Sequence, residues 1–117
     1  MSAESPFFIP RLSIIGLGLI GCSWAKGLRV RGCVGEVLGY DRNLDSMQEA
    51  LNSGIIDRIS PDLAAAVAGA DLVIISVPIL AVRPVLQEIA PHLPVHAVIT
   101  DVGSVKGSVA EDVAAVF

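Results

Sequence analysis

The sequence predicts an α/β domain, a doubly wound parallel sheet with helices on both faces, and three observations lead there. Hydrophobic residues make up 53% of the 117-residue chain but aromatics only 4%, so the core is aliphatic. Aliphatic, β-branched runs suit strands covered on both sides, as in a parallel sheet between helix layers. Strand-like and helix-like segments alternate along the chain with short connections, the pattern of right-handed βαβ units. Finally, a glycine-rich turn from Gly16 to Gly21 stands directly between the first strand-like run and the first helix-like one. This length leaves room for one domain.

Residues 1–10 read as a flexible tail and 11–117 as the folded domain. Arg11 to Ile15 is a short apolar first strand, and Leu19 to Arg31 a helix ending near Gly32. Glu36 to Asp41 forms a second strand. Asn43 can cap a helix running through Met47, Ala50 and Leu51 to a stop at Gly54. Ile55 to Ile59 reads as a third strand at an edge. Pro61, Asp62 and Leu63 open a small alanine-rich helix that stops at Gly69. Asp71 to Ser76 is the most strand-like run and belongs in the sheet interior. Pro84 suits the first turn of a helix through Leu86 and Ile89, where a missing N–H costs nothing. His96 to Asp101 makes a fifth strand, and Val105 to Phe117 a last helix. The expected strand order is 3-2-1-4-5.

The net charge of −4 argues against nucleic acid, whose binders concentrate positive charge. The apolar run Leu72 to Leu80 is broken by Ser76 and Pro78 and is too short to span a membrane. No secretory segment is evident, so a cytoplasmic protein with two small buried thiols, Cys22 and Cys33, is expected. His92 and His96 have the spacing of a helical metal pair, but Pro91 and Pro94 place them in loops, and no metal site is expected.

The chemistry centres on Gly16-Leu17-Gly18-Leu19-Ile20-Gly21. Gly16 permits a tight turn, Gly18 removes a side chain that would block a pyrophosphate, and Gly21 lets the helix lie close to the first strand. Amides from Leu17 onward then face the diphosphate, with the helix dipole favouring its charge. Asp41, at the end of the second strand, stands where a carboxylate accepts hydrogen bonds from the adenosine ribose. A 2′-phosphate there would be repelled by about 4 kcal/mol for unit charges ~4 Å apart at a surface-like dielectric. NAD is therefore expected over NADP, although Arg42 could stack on adenine or pair with a 2′-phosphate. Taken singly, the glycines could be packing residues and Asp41 a helix cap; together, each on its proper element, they point to a dinucleotide.

Two further segments lie at carboxyl ends of strands, where such folds place ligands. These are Ser76-Val77-Pro78 and the run Thr100 to Lys106, which contains Asp101, Gly103 and Ser104. Locally, Pro78 could equally be a strand terminator and Ser104 a helix N-cap.

In combination, GLGLIG (16–21), GYDRN (39–43), ADLVIISVP (70–78) and TDVGSVKG (100–107) resemble the prephenate and arogenate dehydrogenase family of tyrosine biosynthesis, from Leu12 to Phe117. GSVKG is the most discriminating piece. The resemblance implies oxidative decarboxylation of prephenate to 4-hydroxyphenylpyruvate with NAD, or of arogenate to tyrosine. It implies that Gly16 to Gly21 bind pyrophosphate, that Asp41 binds the ribose, and that Ser76 to Pro78 line the path to the nicotinamide; Arg42, Asp101 and Gly103 are further cofactor-binding candidates. Ser104 would face the substrate hydroxyl as the catalytic candidate; Lys106 belongs to the motif without an assigned role. The family's general base, a histidine in a GGHPM-like segment, has no counterpart here, nor does its helical C-terminal domain, which carries the homodimer interface. The chain is thus expected to bind cofactor and to be inactive alone. A stand-alone NAD(H)-sensing module, or the cofactor domain of a pyrroline-carboxylate or β-hydroxyacid type reductase, are the alternatives.

Overall fold

The computed structural model describes residues 8–101. The strands are β1 (Ile9–Ile15), β2 (Val34–Tyr40), β3 (Arg58–Ile59), β4 (Leu72–Ile75) and β5 (Val98–Asp101). The helices are α1 (Leu19–Val30), α2 (Leu44–Asn52), α3 (Leu63–Val67) and α4 (Ile79–Ile89), followed by a 3-10 turn, Ala90–His92. All pairings are parallel and the order is β3-β2-β1-β4-β5, as the alternation of elements predicted.

Helices cover both faces. Ala25 of α1 and Met47 and Ala50 of α2 pack with Leu12, Ile14, Val37 and Ile74 on one side. On the other, Leu63 and Val67 of α3 and Val82, Leu86 and Ile89 of α4 pack with Ile15, Val73 and Ile75. Leu12 to Ile15 are buried without alternation, because a strand covered on both faces has no solvent side.

The helix ends follow their local signals. Gly32 and Gly54 take positive φ (68° and 78°) just beyond α1 and α2. Asn43 caps α2, accepting a bond from the Ser46 amide at 3.1 Å, and Asp62 caps α3 through the Ala65 amide at 2.8 Å.

Four expectations need correction. The folded chain begins earlier than the predicted tail allows: Ile9 is buried and its amide bonds the Cys33 carbonyl at 2.7 Å, extending β1 beside β2. The third strand shrinks to Arg58–Ile59, because the Ile55 and Ile56 amides both turn back to the Ala50 carbonyl at the end of α2 (3.0 and 3.3 Å). The fifth strand starts at Val98, since a turn closed by the Ala97 amide on the Pro94 carbonyl holds the residues before it. Helix α4 starts at Ile79, not near Pro84, which sits inside it. There Pro84 deprives the exposed Leu80 carbonyl of one helical bond, while Val82, Leu86 and Ile89 hold the helix to the sheet. The expected last helix, Val105 to Phe117, lies outside the described residues.

Candidate functional site

The carboxyl edge of the sheet gathers the glycine turn, the end of β2 and the start of α4 around one cleft. Gly16 follows β1 with φ +95°, a conformation that side-chain-bearing residues rarely adopt. A Cβ there would also overlap the Ser76 carbonyl oxygen. The turn is held from both neighbouring strands: the Gly16 amide donates to the Tyr40 carbonyl, and the Ser76 amide to the Ile15 carbonyl, each at 2.8 Å. Gly21 has the packing role expected of it. A Cβ on Gly21 would come within 2.5 Å of the Gly16 carbonyl oxygen and 3.2 Å of Ile14, so α1 lies closer to β1 than any larger residue permits.

Gly18 is the N-cap of α1 in an ordinary extended conformation, and a Cβ placed on it would meet nothing within 4 Å. No side chain caps α1, and no acidic residue lies in its first turn. The positive end of the helix dipole therefore faces space that a glycine keeps open, which suits an anionic group.

Beside it, the Asp41 carboxylate is held by two main-chain amides. Its Oδ2 accepts from Leu17 at 2.7 Å and its Oδ1 from Asn43 at 2.8 Å. This modifies the expectation that the run of free amides begins at Leu17: that N–H is directed to Asp41, and Leu17 itself is buried. A carboxylate offers about four lone-pair sites, so Asp41 keeps acceptor capacity toward the cleft.

The cleft has a volume of about 820 Å³. Gly16, Gly18, Asp41, Arg42, Ser76, Val77 and Pro78 all line it. Of the four stretches that carry candidate residues, three meet here, and the glycine turn does so only in part, for Leu19 and Ile20 lie exposed on α1 outside the lining and Gly21 packs against β1. Asp101 ends β5, half-buried and outside the lining. Gly103, Ser104 and Lys106 lie outside the described residues.

The opposite wall comes from α4 and was not anticipated. Leu80, Pro84, Val85 and Glu88 stand there, with Leu63 of α3. Val82, Leu86 and Ile89 recur at the spacing of one helical face, a signal that would have placed the helix start near Pro78. The wall is apolar apart from Glu88, and Leu80 is 90% exposed at the rim. Apolar walls with a few convergent polar groups are the usual make-up of a small-molecule site.

Neither cysteine is fully buried, and both are free. Burial first, then the carboxylates of Asp41 and Glu49, push the Cys22 thiol up, so it stays protonated at neutral pH and unreactive. It donates weakly to the Leu17 carbonyl at 3.6 Å. His92 lies on the 3-10 turn, and His96 bonds Asp71 at 2.8 Å at the amino edge of the sheet; neither lines the cleft. Among the described residues no three His, Cys, Asp or Glu gather as a metal site would need, and no helix is long and apolar enough to cross a membrane.

A family model described as the nucleotide-binding domain of prephenate dehydrogenase matches residues 24–117. A cyclohexadienyl dehydrogenase from Zymomonas mobilis is 40% identical over 100 residues, covering 84% of this chain and 33% of its own length. A prephenate dehydrogenase of A. aeolicus, solved with hydroxyphenyl propionate and NAD+, superposes with a TM-score of 0.84 at 33% identity, over 92% of this chain and 38% of that one. The arogenate dehydrogenase of Synechocystis gives 0.82 at 33% identity, over 92% and 37%. The chain spans about a third or less of the length of the curated relatives it matches.

Proposed function

We propose a function from the premise that this chain belongs to the prephenate dehydrogenase family, as its nucleotide-binding domain. It binds NAD in the cleft at the carboxyl edge of the sheet. The observation that carries this reading is the uncapped start of α1 at Gly18, open in front and flanked by the Asp41 carboxylate. The first-turn amides of α1 would hold the diphosphate, with Gly16 and Gly21 keeping the turn tight behind it. Asp41 would accept from the adenosine ribose, and Arg42 and the apolar wall of α4 would flank the base. Ser76, Val77 and Pro78, with Asp101 and Gly103, would line the way to the nicotinamide, and Ser104 would meet the substrate hydroxyl.

Bound NAD supplies the hydride acceptor for oxidative decarboxylation of prephenate or arogenate. Removing a hydride from a carbinol carbon also requires a base within hydrogen-bond reach of its hydroxyl. Neither histidine of this chain is placed for that task, since neither lines the cleft. Cofactor binding without turnover is the activity we assign to these 117 residues. In a protein of the relatives' length, the remaining part would supply the base, most of the substrate contacts and a homodimer interface.

Calorimetric titration with NAD and with NADP tests the assignment. Saturable NAD binding, tighter than NADP, is expected because the carboxylate of Asp41 repels a 2′-phosphate. A folded sample with no affinity for either dinucleotide overturns it. Preference for NADP would transfer the adenosine contact from Asp41 to Arg42. Prephenate oxidation by this chain alone would refute the missing base.

A further inference from the structure

We infer that Asp41 is a positioning residue for the diphosphate cradle, acting through the Leu17 amide, apart from any contact it makes with a ribose. The inference rests on the reading of the cleft as a dinucleotide site.

The geometry carries it. Leu17 is held at three points. Its amide donates to Asp41 Oδ2 at 2.7 Å, its carbonyl accepts from the Cys22 thiol at 3.6 Å, and its side chain is buried under α1 and α2. The next residue, Gly18, is where α1 begins. Whatever fixes Leu17 therefore fixes where the open helix terminus points. On the other side, Asp41 Oδ1 accepts from Asn43, the residue that caps α2. One carboxylate thus ties the starts of α1 and α2 to the end of β2.

The rest of the turn cannot substitute for this bond. The Gly16 amide is already committed to the Tyr40 carbonyl, and Gly18 has no side chain with which to anchor itself. Loss of the Asp41 oxygen leaves the buried side of Leu17 in place but frees its amide, so the turn can rotate about the Leu17–Gly18 link.

Two substitutions that remove the same charge separate the roles. Asp41→Asn keeps one acceptor oxygen, which can serve Leu17 at the expense of the Asn43 amide, whereas Asp41→Ala has none. The probe is inorganic pyrophosphate, which carries no ribose, titrated by NMR into the 117-residue chain. The expected result is that Asp41→Ala binds pyrophosphate about tenfold more weakly than Asp41→Asn, the scale of one lost hydrogen bond. The Leu17 amide should exchange rapidly with solvent in Asp41→Ala and slowly in Asp41→Asn. Should the alanine variant fail to fold, Asp41→Ser, too short to reach Leu17, takes its place. Equal pyrophosphate affinities and equal exchange in the two variants would overturn the inference and leave Asp41 a ribose acceptor only. Wild-type protein that binds NAD but not pyrophosphate would also overturn it, for no independent diphosphate cradle would exist. Absence of NAD binding in the wild type would instead strike the dinucleotide reading itself.

Discussion

Helices α1 and α2 both begin at the carboxyl edge of the sheet, yet their N-termini are finished in opposite ways. Asn43 caps α2 with its side chain, and Asp45 adds an acid to the first turn. Gly18 caps α1 with nothing, and no acid follows. A helix N-terminus leaves four amides without internal partners, and the ordinary remedy is the one α2 uses. The bare end of α1 is a stability cost accepted beside a cleft of about 820 Å³, and the start of α4 at Pro78, which lines the same cleft, likewise has no side-chain cap. The contrast teaches that unspent donors, more than the glycines themselves, mark the binding end of this domain.

Gly16→Ala should break the comparison most severely. It forces a left-handed φ and an overlap with the Ser76 carbonyl, costing about 3 kcal/mol or more. Denaturant unfolding should show a large loss of stability or no folded protein. Gly18→Asp sharpens the contrast by giving α1 the cap that α2 already has. Its Cβ meets no neighbour and its backbone is extended, so the fold should persist, with stability equal to or a few tenths of a kcal/mol above wild type. NAD affinity should nevertheless fall by on the order of a hundredfold, because a carboxylate then occupies the anion's place. Retained binding in calorimetry would refute the cradle.

Asn43→Ala makes the reverse change, stripping α2 to the condition of α1. A loss of about 1 kcal/mol in thermal or urea unfolding is expected, with NAD affinity little altered. A large binding loss from this variant would mean that the α2 start belongs to the site.

The smallest effect concerns the far end of α1, where Arg29 pairs with Asp57 while its buried Nε has no hydrogen-bond partner among the described residues. Arg29 donates to the Ile55 carbonyl at 3.3 Å and to Asp57 Oδ2 at 3.0 Å, and the Val37 amide donates to the same oxygen at 2.8 Å. Burial raises the Asp57 carboxyl, but the Val37 amide, Arg29 and the charge of Arg58 outweigh it and hold it below its usual 3.8. A carboxylate lowered in the folded state stabilises above its unfolded value, and that contribution disappears as pH falls through the folded one. Stability should therefore drop on acidification below about pH 4, and Asp57→Asn should flatten part of that slope. An unchanged slope would deny Asp57 the role.

Much of this was legible in the chain because its signals are local or periodic. Gly16, Gly21 and Asp41 occupy the places that the turn, the helix–strand contact and the end of β2 require, and the strand order follows from right-handed crossovers. The start of α4 was not legible. Ile79 to Val82 is apolar and short enough to read as strand or loop, and Pro84 is a stronger local signal than the spacing of Val82, Leu86 and Ile89. Nor could the length of β3 be read, since it depends on which partner the Ile55 and Ile56 amides find.

What the sequence determined by itself is the class of fold and the chemistry of the turn. Aliphatic composition together with alternating strand and helix signals points to a sheet covered on both faces, and a residue without a side chain is recognisable wherever it stands. Tertiary structure alone decided that the Leu17 amide meets Asp41 and that α4 walls the cleft opposite the glycine turn. Both depend on groups far apart in the chain, and only the packing of strands and helices brings such groups within hydrogen-bond or van der Waals reach.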